Sequence, residues 1–202
     1  MPIEEQVFIA GAGPVGLVAA ANLLRRGVPV TVFEAGAVLS EESRASTFHP
    51  STLDMLDEFG AAGPLIAQGL IAPQVQYRTR DGVIATFDFG AIADATRHPF
   101  RLQAEQFKLT RILHERLNGN PGFRIEFGVN VANVEQDDAA GILRLHLARA
   151  LSGRLDAIRF SRGHRGNGFR HLCGRSAALA LSPGNSGWHL AGDVSADRDL
   201  QR

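Results

Sequence analysis

Residues 7–34 read VFIAGAGPVGLVAAANLLRRGVPVTVFE, and this stretch decides the fold. Val7, Phe8 and Ile9 form a short apolar run suited to a buried strand. Gly11, Gly13 and Gly16 follow as G-x-G-x-x-G, with Pro14 and Val15 between the last two. Leu17, Ala20, Ala21 and Leu24 then recur at helical spacing. Arg25 and Arg26 suit the negative end of that helix, and Gly27 suits its C′ position. Val30 to Phe33 predicts a second strand, with Glu34 at its end. Strand, glycine turn, helix, strand and acid make one βαβ unit with a dinucleotide fingerprint.

Each residue type has a task. Gly11 permits a tight turn, and Gly13 lets a pyrophosphate approach the backbone. Gly16 lets the helix lie close to the strand, and the helix N-terminus offers free N–H groups to phosphate. Glu34 can accept hydrogen bonds from ribose hydroxyls. Its charge opposes a 2′-phosphate, so the site suits FAD or NAD rather than NADP. A membrane span is the competing reading, because residues 7–24 carry no charge. Pro14, the glycines and Asn22 make that a poor spanning helix. Glu4 and Glu5 stand where a leader peptide would be basic.

The chain has 202 residues, is 45% hydrophobic and has no net formal charge. It can bury a core, and its neutrality gives no sign of a nucleic-acid partner. Cys173 is the only cysteine, which excludes a disulfide framework and a cysteine metal cluster. A cytoplasmic location is expected, and no metal site is expected. The neutrality hides an asymmetry: residues 1–143 carry a net −6 and residues 144–202 a net +6. No Glu follows Glu135.

After Glu34 a polar loop, AGAVLSEESRAST, contains Arg44. Pro50 opens a helix with Leu53, Leu56 and Phe59 on one face and Gly60 as its stop. VQYRTRDGVIATFDF, residues 75–89, predicts a hairpin turning at Asp81-Gly82. FRLQAEQFKLTRILHERL, residues 100–117, carries a helical stripe of Phe107, Leu109, Ile112, Leu113 and Leu117, with Gln103 and Gln106 near its start. His114 on this helix reads as a packed or surface residue. FRIEFGVNVANVE, residues 123–135, predicts two strands joined near Gly128.

Four of these segments together resemble the FAD-dependent aromatic hydroxylases, the class A flavoprotein monooxygenases. They are GAGPVG with Glu34, SRASTFHPSTLDMLDEFG, FRLQAEQFKLTRIL and FRIEFGVNVANVEQD. The resemblance implies an α/β, Rossmann-like FAD-binding domain over residues 1–143, with a substrate-side β-hairpin excursion at 75–100. It implies cofactor contacts from Gly11, Gly13, Pro14, Val15, Gly16 and Glu34. It matches the family's loop arginine to Arg44, its helix-start glutamine to Gln106 or Gln103, and the arginine of its Q-x-x-L-x-R-x-L pattern to Arg111. Family members reduce FAD with NADH or NADPH and insert one atom of O₂ into an activated aromatic ring. No single side chain is named catalytic by this resemblance.

The family's G-A-D-G-x-x-S segment has no counterpart here. WHLAGD at residues 188–193 resembles the first half of its L-A-G-D-A-A-H motif, which makes Asp193 a candidate for the flavin ribityl chain. Residues 144–202 are expected to be a divergent or truncated tail, partly disordered, leaving the substrate domain incomplete. The rival readings are another flavin oxidoreductase of the superfamily and an FAD-binding remnant without turnover. The oligomeric state is not legible. Gly13→Val is expected to abolish dinucleotide binding while secondary structure is kept, because the side chain fills the space of the pyrophosphate. Stoichiometric flavin co-purifying with this variant would mean that the fingerprint is misread.

Overall fold

In a computed structural model the described residues are 6–42, 45–137, 142–149 and 155–161. The chain opens with β1 (Val7–Ala10), α1 (Pro14–Arg25) and β2 (Val30–Glu34). β1 and β2 are parallel, with Val7 opposite Val30 and Ala10 opposite Phe33. β8 (Phe123–Phe127) adds in parallel to the other side of β2, giving the order β1-β2-β8. β2 is therefore central, and four of its five residues are buried, as expected for a strand covered on both faces.

Between β2 and β8 lie β3 (Thr47–Phe48), α2 (Pro50–Asp57), α3 (Ala62–Ile66), β4 (Leu70–Ala72), β5 (Gln74–Thr79), β6 (Gly82–Asp88), β7 (Arg101–Gln103) and α4 (Gln106–Leu117). β3, β7 and β4 form a small antiparallel sheet with β7 in the middle. α1 and α4 contribute Leu17, Ala20, Ala21, Leu109, Ile112, Leu113 and Leu117 to one core, together with Val7, Ile9, Val30 and Val32 from the sheet. β9 (Val129–Asp137), β10 (Ile142–Arg149) and β11 (Leu155–Ser161) form a further antiparallel sheet. Leu145 and Leu147 of β10 join Phe8, Phe33 and Val129 in a second buried cluster, in which the rings of Phe8 and Phe33 stack 5.9 Å apart.

The helix opened by Pro50 starts where the sequence puts it but ends at Asp57, so Phe59 and Gly60 lie in the turn that follows. The turn at Gly128 lies where expected, and both Gly60 and Gly128 have positive φ. Two local readings are corrected. Residues 101–103 are strand β7, and the helix begins only at Gln106, because Leu102 is buried in the small sheet and Ala104 N–H bonds back to the Ser46 carbonyl. The hairpin pairs Thr79 with Gly82, so Arg80 and Asp81 form its two-residue loop and Gly82 begins β6 with φ 148°. A register shift after Tyr77 takes up the difference.

Asp54 and Asp57 of α2 hold the loop before β7. Thr96 Oγ1 donates to Asp54 at 2.6 Å, and the Arg97 N–H at 3.2 Å. Arg97 lies 3.2 Å from the Asp57 carboxylate, and His98 Nε2 shares a 2.8 Å hydrogen bond with it. Asp54, Asp57 and His98 offer atoms within 4.8 Å of one another, but protein donors already face both carboxylates. The Thr96 hydroxyl holds the Asp54 carboxyl below its ordinary 3.8, desolvation opposes this, and the Arg97 N–H adds to it. A lowered folded pKa means that the Asp54 contribution is present above the ordinary carboxylate pKa and is lost as pH falls through the folded value. Thr96→Ala is expected to move the Asp54 titration, followed by NMR, upward toward 3.8. An unmoved titration would remove Thr96 as the cause.

Leu113 is fully buried in the core that α1 and α4 share. Leu113→Ala is expected to lower stability by about 2–5 kcal/mol in denaturant unfolding, since it removes apolar contact and leaves a cavity. A change below about 0.5 kcal/mol, the range of exposed substitutions, would contradict this packing.

Candidate dinucleotide site

The site is built where β1 ends and α1 begins. Gly11 has φ 95°, in the left-handed region that a side chain disfavours, and its N–H donates to the Phe33 carbonyl at 2.7 Å. Gly13 is the N-cap of α1 and has no side-chain cap, and Pro14 occupies the first turn, where it sacrifices no helical hydrogen bond. The first intrahelical bond runs from Leu17 N–H to the Gly13 carbonyl at 3.0 Å. The N–H groups of Val15 and Gly16 precede it at the positive end of the helix dipole. A Cβ on Gly13 would meet nothing within 4 Å, so the turn borders open space there. A Cβ on Gly16 would lie 2.1 Å from the Gly11 carbonyl oxygen, so helix and turn are in contact at that point. Open space over Gly13, an uncapped helix start and no acidic residue in the first turn suit a pyrophosphate.

Glu34 closes the site at the end of β2. Its Oε2 accepts the Ala12 N–H at 2.7 Å and its Oε1 accepts the Gly36 N–H at 2.8 Å. The structure thus brings Glu34 against the turn that holds Gly11, Gly13, Pro14, Val15 and Gly16. Each carboxylate oxygen keeps a lone pair for a ribose hydroxyl.

The remaining candidates group around the loop after β2. Gln106 N–H donates to the Ala45 carbonyl at 3.2 Å, and Gln103 Oε1 accepts the Thr47 hydroxyl at 2.5 Å. Arg111 pairs with Glu41 of the same loop, and its guanidinium lies 5.2 Å from the centre of the Phe107 ring. Residues on both sides of Arg44 are therefore tied to β7 and α4. Arg44 and Asp193 themselves lie outside the described residues. His114 packs edge-on against Phe127 with ring centres 6.1 Å apart, as a packed residue does. Gly36 joins this site through Glu34, although no motif in the sequence marks it.

A family model described as the FAD binding domain matches residues 4–148. Para-nitrophenol 4-monooxygenase of Pseudomonas sp. strain WBC-3 is 32% identical over 140 residues, covering 69% of this chain and 35% of that enzyme. 6-Methylpretetramide 4-monooxygenase of Streptomyces rimosus is 34% identical over 197 residues, covering 98% of this chain and 34% of the enzyme. The crystal structure of p-nitrophenol 4-monooxygenase PnpA from Pseudomonas putida DLL-E4 superposes with a TM-score of 0.69 at 29% identity, over 77% of this chain and 38% of that one. The chain spans about a third of the length of the curated relatives it matches. With a matching family model across most of its length and the glycine turn, helix start and Glu34 in place, this chain belongs to the FAD binding domain family.

Proposed function

We propose that this chain supplies the FAD-binding part of an NAD(P)H-dependent monooxygenase that hydroxylates a small phenolic ring. The observation that carries the reading is the turn from Gly11 to Gly16, open over Gly13 and closed behind by Glu34. The names of relatives point to the substrate class, since para-nitrophenol and pentachlorophenol are phenols. When bound, FAD supplies the redox and oxygen chemistry. The chain's residues bind and orient it. Gly13, Val15 and Gly16 face the pyrophosphate with backbone N–H groups, and Glu34 accepts from the ribose. In this reading Arg44, Gln103, Gln106 and Arg111 contribute from the loop and from α4, and Asp193 serves the ribityl chain. NADH or NADPH is the reductant and O₂ the oxidant. A cytoplasmic setting supplies both. Among the described residues no helix is long and apolar enough to cross a membrane.

We also place the end of the nucleotide-binding unit after β11 rather than at residue 143, which falls inside β10. Leu145 and Leu147 support this, because they are buried against Phe8 of β1 and Phe33 of β2.

On the substrate side, the described part of the chain offers the β5–β6 ribbon. Its Tyr77 and Phe87 rings meet edge-to-face at 5.7 Å and remain 61% and 59% exposed. Oxygen transfer to a ring needs a dry site, because water diverts reactive oxygen to H₂O₂. The full chain reconstituted with FAD is therefore expected to oxidise NAD(P)H slowly, with H₂O₂ exceeding hydroxylated product across a panel of phenols. The check follows NAD(P)H, H₂O₂ and product together. Product matching NAD(P)H consumption would show that this chain encloses its own substrate site. Failure to retain any flavin would remove the proposal itself.

A further inference from the structure

Gly36 sits at a junction that the cofactor motif does not include. Its N–H donates to Glu34 Oε1 at 2.8 Å, and its carbonyl accepts the Gly128 N–H at 2.9 Å. Gly128, with φ 68°, makes the turn between β8 and β9. The other oxygen of Glu34 accepts the Ala12 N–H at 2.7 Å, inside the glycine turn. A continuous set of hydrogen bonds therefore runs from the β8–β9 turn through Gly36 and Glu34 to Ala12.

Space at Gly36 is restricted. A Cβ there would lie 2.9 Å from the Val38 carbonyl oxygen and 3.2 Å from Glu34 Oε1. The first is a backbone atom and cannot rotate away. The second is the atom that the Gly36 N–H holds. Any side chain at this position must displace the loop, the carboxylate or both.

We propose that Gly36 is a positioning residue for the nucleotide site, fixing the Glu34 carboxylate and through it the glycine turn. The inference rests on the FAD reading of that site. A carboxylate held by two main-chain donors presents its remaining lone pairs in fixed directions, so binding a ribose requires no further ordering of the side chain. A free glutamate would have to lose that rotamer freedom when the cofactor binds.

The test combines FAD titration with amide hydrogen exchange on the full chain. Gly36→Ala is expected to weaken FAD about tenfold or more, as expected when a hydrogen bond to a charged group is lost. In a Glu34→Ala background the same change is expected to alter affinity by less than about twofold, because the group it acts through is gone. Without FAD, the Ala12 amide is expected to exchange faster in Gly36→Ala than in the wild type. Glu34→Gln serves if Gly36→Ala does not fold. It keeps the side chain's size but turns an NH₂ toward one of the two N–H donors, so the Ala12 or Gly36 amide should exchange faster. Equal weakening in both backgrounds, or unchanged exchange at both amides in the variant that folds, would overturn the proposal. If the wild-type chain shows no saturable FAD binding, the FAD reading fails alone, and the exchange rates still decide whether Gly36 holds the turn.

Discussion

The structure depends on how closely α1 approaches the turn that precedes it. A methyl group at Gly16 would sit 2.1 Å from the Gly11 carbonyl oxygen, so only glycine allows this packing. The contact sets the direction in which the helix leaves the sheet. It places the uncapped N-terminus beyond the carboxyl ends of β1 and β2, where open α/β sheets receive ligands. The same helix then buries Leu17, Ala20 and Ala21, and α4 completes the core with Leu109, Leu113 and Leu117. The candidate site at the helix start and the hydrophobic core along its buried face thus share one helix. The short side chains of Ala20 and Ala21 suit close packing in mid-helix as Gly16 does at its start.

Much of this was legible in the chain because its signals are local. The apolar run at Val7–Ile9, the glycine spacing and Glu34 all lie within one βαβ unit, and local patterns resolve such units well. Pro50, Gly60 and Gly128 mark ends and turns by their own backbone chemistry. Long-range pairing was less legible. Residues 101–103 hold a single apolar position, Leu102, just ahead of the helical stripe, yet they form a strand because β3 and β4 flank them. The tight turn at Asp81-Gly82 is displaced by one residue, because strand register is set by the whole ribbon and its bulge. Gly36 gave no signal at all, since its importance comes from Glu34, Gly128 and Val38 together.

The loop after β2 is held from several sides. Glu41 meets Arg111, the Ala45 and Ser46 carbonyls meet the N–H groups of Gln106 and Ala104, and Thr47 meets Gln103. The ion pair is exposed and adds little stability alone. Its effect with the others is to limit where the loop can lie, beside elements that belong to the same core as the dinucleotide turn. Residue 143 lies within β10, which pairs with β9 on one side and β11 on the other.

The central claim is that the turn between β1 and α1, backed by Glu34, receives the adenosine and pyrophosphate of FAD. The most direct measurement follows the backbone amides of the full chain by NMR as FAD is added. The account predicts that the largest shifts fall on Ala12, Gly13, Val15, Gly16 and Gly36, saturating together with one affinity. Saturable shifts confined to the β5–β6 ribbon, or amides of the glycine turn that do not respond to FAD, would contradict it.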